Sequence, residues 1–158
     1  MSLHEFTPKT VRVLVAGNVS YKVLEAKLNH LFLTNNSAAD IQIVHTNNLK
    51  NSAENAARKW ARKHSIQLVR FVPNWSDLNQ PDAVISKNKY GKFDKKAGIR
   101  NTQSATEYAT HVVIFDDNKK LNRLTKTVNS FAKAAQCHIR KYAKDGKAHR
   151  VITQLSFF

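Results

Sequence analysis

Val11-Arg12-Val13-Leu14-Val15-Ala16-Gly17 decides the fold. This short apolar run is rich in β-branched residues and stops at a glycine, the pattern of a buried strand that enters a tight turn. Ser20 follows as a helix cap, and Leu24, Leu28, Leu31 and Phe32 recur from Tyr21 onward at helical spacing until the polar cluster Thr34 to Ser37. Strand-like and helix-like segments then alternate. Ile41 to His45 is a second strand, Ala53, Ala56, Ala57 and Trp60 form one face of a helix capped by Asn51 or Ser52, and Ile66 to Val72 is a third strand. Further on, Ile99 to Tyr108 reads as a short helix and His111 to Phe115 as a fourth strand. Leu121, Leu124, Val128, Phe131, Ala132 and Ala135 mark a further helix, and Cys137 to Tyr142 a fifth strand. The alternation predicts a single α/β domain, a mostly parallel sheet of about five strands with helices on both faces.

Three segments stand outside this pattern. Residues 1–10 read as an N-terminal arm, 73–97 as a long basic loop without a convincing period, and 143–158 as a basic turn with a C-terminal strand or tail. The α/β domain proper spans 11–142. Ligands in such sheets bind beyond the carboxyl ends of the strands, which directs attention to Gly17 to Ser20, His45 to Asn51, Pro73 onward and Asp116 to Lys120.

Charge narrows the choice of ligand. The 158 residues hold 26 Lys and Arg against 11 Asp and Glu, a net charge of +15. A field of that sign draws in phosphate-rich molecules and works against compaction, so nucleic acid or a nucleotide-derived ligand is the expected partner. The alternative is a basic surface with no specific ligand. One cysteine, Cys137, excludes an intrachain disulfide and reads as a buried free thiol. No apolar run approaches the ~18 residues of a membrane span and Met1 to Thr10 lacks a signal core, so a cytoplasmic protein with no membrane partner is expected.

The order and content of four stretches resemble the SLOG superfamily, the Rossmann-like group that includes cytokinin-activating phosphoribohydrolases and single-strand DNA-binding Smf/DprA proteins, and most of all its YspA-like branch. They are VRVLVAG at 11–17, IQIVHTNNLKNSAENAARKWARKHSI at 41–66, AGIRN at 97–101 and THVVIFDDN at 110–118. The resemblance implies a ligand crevice containing Gly17, Asn18, His45, Thr46, Asn47, Arg100 and Asn101, with Arg100 pairing with phosphate at a helix start. A purely structural ion pair from Arg100 to Asp116 or Asp117 is the competing expectation. Two departures stand out. The family's glycine-rich turn after the second strand reads Thr46-Asn47-Asn48-Leu49-Lys50-Asn51-Ser52 here, and Asn, unlike Gly, carries a Cβ. After the fourth strand, Asp116 and Asp117 stand where the resemblance implies a phosphate, and the acidic residue of the hydrolytic members has no counterpart among Leu121, Asn122 and Arg123. Loss of phosphoribohydrolase activity is the expectation, with no catalytic residue assigned and no cofactor.

Lys87 to Lys96 (KNKYGKFDKK) interleaves Lys87, Lys89, Lys92, Lys95 and Lys96 with Tyr90 and Phe93. Lysines follow a phosphate backbone while aromatic faces stack on bases, a combination suited to single strands. The alternative is a solvated loop whose aromatics pack on the sheet edge. His45 stands where a general base would, but no Ser, Cys or carboxylate is tied to it by spacing, so a hydrogen-bonded structural role is expected. The remaining histidines lack metal-ligand spacing, so no metal site is expected. Trp75 is expected chiefly in packing. The chain thus reads as a non-catalytic polyanion-binding protein, nucleic acid first, acting through the basic loop and the strand-end crevice. Two alternatives stay open: a sensor or sequestering protein for a nucleotide-derived small molecule, and an inhibitor module for an acidic protein partner.

Overall fold

The computed structural model describes residues 10–48, 51–116 and 123–148. The predicted arm before Thr10, the C-terminal strand or tail, and Asp117 to Lys120 lie outside the described residues. In chain order the elements are β1 (Val11–Gly17), α1 (Tyr21–Leu28), β2 (Ile41–His45), α2 (Ser52–Lys63), β3 (Gln67–Arg70), β4 (Ile85–Asn88), β5 (Gly91–Asp94), α3 (Ala97–Tyr108), β6 (His111–Phe115), α4 (Arg123–Ala134) and β7 (His138–Tyr142). Five strands form a parallel sheet in the order β3-β2-β1-β6-β7. The order reverses between β1 and β6, which is where an open α/β sheet forms its binding crevice.

Both faces of the sheet are covered, which is why β1 from Val13 to Ala16 reads as a continuous apolar run rather than an alternation. Val13 and Val15 of β1 join Ile41, Ile43, Val113 and Phe115 beneath α1 and α2, whose Leu24, Leu28, Ala53, Ala57 and Trp60 close that core. Leu14 and Ala16 face the other way, with Val44, Val112 and Ile114, beneath α3 and α4 through Ala105, Val128 and Ala132.

The structure departs from the expected elements at two places. The helix begun at Tyr21 does not run on regularly to Phe32; it widens into a π-helical turn over Asn29–Leu33. That turn carries Asn29, whose Oδ1 accepts from the indole Nε1–H of the buried Trp60 at 2.9 Å. An indole donor in a core needs such a partner. The segment 73–97 is not a featureless loop, because β4 and β5 pair antiparallel as a hairpin that stands apart from the main sheet. Cys137 is a free thiol, half-buried, with Sγ 3.3 Å from the carbonyl of Ala109, and burial raises its pKa away from the reactive thiolate.

Candidate functional site

At the carboxyl end of the sheet lies a cleft of about 830 Å³, walled by the turn after β2, the segment after β3, the start of α3 and the first turns of α4. Gly17 lies at its base. The Gly17 φ of 112° and the 1.9 Å that would separate a Cβ from the Phe115 carbonyl oxygen admit no other residue there. Closure of this corner is carried by α2: Asn51, its N-cap, accepts from Gly17 N–H at 3.1 Å and from Glu54 N–H at 3.1 Å, and Ser52 Oγ accepts from Val19 N–H at 3.3 Å. The backbone donors of Gly17, Val19 and Glu54 at this corner are therefore already engaged.

The same holds after β2. Glu54, fully buried in the first turn of α2, receives Thr46 N–H at 2.8 Å on Oε1, and its Oε2 lies 2.8 Å from Thr46 Oγ1 and 3.5 Å from Asn51 Nδ2. Burial pushes the Glu54 carboxyl up to about 7, while the hydroxyl and N–H of Thr46 and the N–H groups of Asn48 and Asn47 pull the other way. His45, also buried, has Nδ1 3.5 Å from Glu54 Oε1 and accepts Asn47 N–H there at 3.1 Å, which leaves the ring proton on Nε2. Burial holds this imidazole below its ordinary pKa, Arg58 and Arg70 act in the same direction, and the Asn55 and Asn47 side chains oppose them. Asn47 itself adopts a left-handed φ of 62°, so the conformation a glycine would supply is met here by an asparagine.

Of the residues anticipated in the crevice, Gly17, Thr46, Asn47 and Asn101 line the cleft together; Asn18, His45 and Arg100 do not. Asn101 ties α3 to two strand ends, its Nδ2 donating to the carbonyls of Thr46 at 3.0 Å and Phe71 at 2.9 Å. Arg100 is held in an ion pair, but its partners are Asp94 and Asp82 (2.8 Å) rather than Asp116. Burial alone would raise the Asp94 carboxyl; the Arg100 guanidinium and the N–H groups of Lys96 and Val84 hold it below the usual value. That cluster pins the hairpin to α3. Asp116 is buried, accepts from Thr125 Oγ1 at 2.6 Å and does not line the cleft; Asp117 lies outside the described residues.

Trp75 is not a core residue. It is 45% exposed, lines the cleft, lies over Gly98 and meets Phe93 edge-on at 6.4 Å between centroids. Phe93 thus packs on the domain while Tyr90, at the hairpin turn, is 84% exposed with Lys89 Nζ 5.0 Å from its ring centroid. Lys87 stands directly across from Lys92 in the hairpin register. Among the described residues no carboxylate lies within ion-pair distance of Lys87, Lys89, Lys92, Lys95 or Lys96, and Lys95 reaches the cleft wall. No group of three or more metal-ligating side chains occurs among the described residues, and no helix there is long and apolar enough to cross a membrane.

Sequence reasoning missed Glu54, Asp94 and the cleft-facing Arg123 and Thr127. For Glu54 a signal exists: Asn51-Ser52-Ala53-Glu54 is a capping-box spacing that sets an acid in a helix first turn. Residues 11–77 match the sequence profile of the YspA, cpYpsA-related SLOG family. No curated protein matches the chain.

Proposed function

From the premise that this chain belongs to the SLOG superfamily, we propose that it binds single-stranded nucleic acid without chemistry, its hairpin following the phosphates and its strand-end cleft receiving a nucleotide. One observation carries the reading. Lys87 and Lys92 face each other across the hairpin with no carboxylate within ion-pair distance among the described residues, and directly opposed like charges destabilise a strand pair. An arrangement that costs stability in the free protein is relieved when a polyanion lies over it. The exposed Tyr90 beside them offers a stacking face, and Trp75 offers a second one at the cleft.

Titration of labelled oligonucleotides over a range of salt concentrations tests the proposal. Affinity falls steeply with salt, and replacing Lys87, Lys92 and Lys95 with Ala lowers the log–log slope by about 0.7 for each lysine that meets a phosphate on a single strand. Absence of binding at low salt, or an equal loss on replacing Arg58 and Arg62 of α2, defeats the hairpin reading. A second reading, a sensor of a nucleotide-derived small molecule, is favoured by the cleft itself, whose volume of about 830 Å³ suits such a ligand. A thermal-shift panel of nucleotides separates the two, because a tight ligand at a hundredfold excess over its Kd adds about 2.7 kcal/mol.

A further inference from the structure

Behind the cleft, the turn Thr46-Asn47-Asn48 is gathered around an acid from inside the protein. Glu54 is fully buried and sits among neutral donors, with Thr46 N–H at 2.8 Å, and among the described residues the only ionisable side chain within ion-pair distance is His45, at 3.5 Å. The N–H groups that a glycine-rich turn would offer to an anion point instead at this carboxylate or, for Asn47, at His45 Nδ1. Thr46, Asn47 and Asn48 all line the cleft. The turn therefore holds its own anion, and an external one entering beside Asn47 meets both like charge and engaged donors.

We propose that Glu54 couples the cleft to protons: an anionic group that binds beside Asn47 and Asn48 does so with uptake of one proton at Glu54. This rests on the reading that the cleft receives a phosphate-bearing ligand. In the linked step, a solvent proton settles on Glu54 Oε1. The new O–H has an acceptor at hand in His45 Nδ1, which gives up the Asn47 N–H to the cleft. One negative charge leaves the floor of the cleft as another arrives above it. The surroundings favour this exchange. Burial, together with Arg58 of α2 and Arg70 of β3, holds His45 on β2 below its ordinary pKa; β1 presents the apolar Val11, Val13 and Val15 to this core; and α1 directs Glu25 to Lys63 at the far end of α2. The position of the Glu54 titration, near neutrality, agrees with such a role.

The test has two arms. In the ligand-free protein, the amide resonances of Thr46 and Asn47 are followed by NMR between about pH 6 and pH 8 and should move together with one midpoint near 7, a transition that is missing in Glu54→Gln. In the second arm, binding of a labelled oligothymidylate is measured calorimetrically in buffers of differing ionisation enthalpy. Wild type takes up a proton and weakens roughly tenfold more than Glu54→Gln over the same interval, the variant reporting what the surface histidines contribute. Static amides in wild type, or equal proton uptake by wild type and variant, overturn the proposal. A moving turn with no oligonucleotide bound leaves the proton-sensitive turn standing and removes the nucleic-acid reading. Binding without any proton linkage does the reverse.

Discussion

The turn from β2 to α2 and the hairpin between β3 and α3 answer the same charge problem in opposite ways. In the first, each anion is enclosed: Glu54 is wrapped by Thr46 and Asn51, and the backbone donors of Gly17 and Val19 are taken by Asn51 and Ser52. In the second, the one buried anion, Asp94, is spent on Arg100, and the lysines around it are left facing outward. Every exposed large apolar side chain among the described residues also falls between Val72 and Ile99. A closed turn sets geometry, whereas an open hairpin advertises for a partner. The contrast teaches that similar polar content serves structure or recognition according to whether its donors are satisfied from within.

The strongest way to break the contrast is at its closed side. Gly17→Ala forces a side chain into a left-handed backbone against the Phe115 carbonyl, and a loss of about 3 kcal/mol or more in urea unfolding is expected. Next comes Glu54→Gln. A carboxyl raised from 4.5 to about 7 binds more protons folded than unfolded between those values, so wild-type stability declines as pH rises through that window and levels off above it. At about 1.4 kcal/mol for each pH unit of difference, the loss reaches about 3 kcal/mol, and the glutamine variant escapes it. His45, whose pKa is lowered, acts in the opposite sense but only below its ordinary 6.5. Thermal unfolding between about pH 6.5 and pH 8 therefore isolates the last part of the Glu54 decline, about 1 kcal/mol, and the larger part at lower pH is read as the difference between wild type and the glutamine variant.

On the open side, Trp75→Ala removes a stacking face and should weaken oligonucleotide binding by about 1–3 kcal/mol, read from the titration midpoint at fixed salt, while the fold persists. The smallest effect sharpens the contrast most. Lys87→Thr relieves the opposition to Lys92 and should stabilise the free protein by about 0.2–1 kcal/mol in urea unfolding while lowering oligonucleotide affinity. A variant that loses both stability and affinity would show that the lysine pair is structural.

The sheet was legible because β1, β2 and β6 are covered on both faces and therefore hold consecutive apolar residues, Val13 to Ala16, Ile43 and Val44, and Val112 to Phe115. The hairpin was not, because β4 and β5 bury little: Ile85, Lys87 and Lys92 are exposed, and only Asp94 is fully enclosed. Without a buried face there is no period to read. The crevice was half legible. Gly17, Thr46, Asn47 and Asn101 could be placed by their position at strand ends or a helix start, but the partner of Arg100 could not, since Asp94 reaches it only through the fold of the hairpin. Glu54 was hidden by its ordinary appearance as an acid in a first turn, where a favourable helix dipole explains it without any burial.

Among the described residues the hairpin pairs only with itself, and its anchors are few: Asp94 to Arg100, the Trp75 carbonyl to Asp94 N–H, and Phe93 against the Trp75 ring. None of these touches the register of the main sheet. A lineage could therefore lengthen, recharge or delete the excursion between Val72 and Ala97 while inheriting the same five-stranded scaffold. Partner choice would then evolve as a change of attachment rather than a change of architecture.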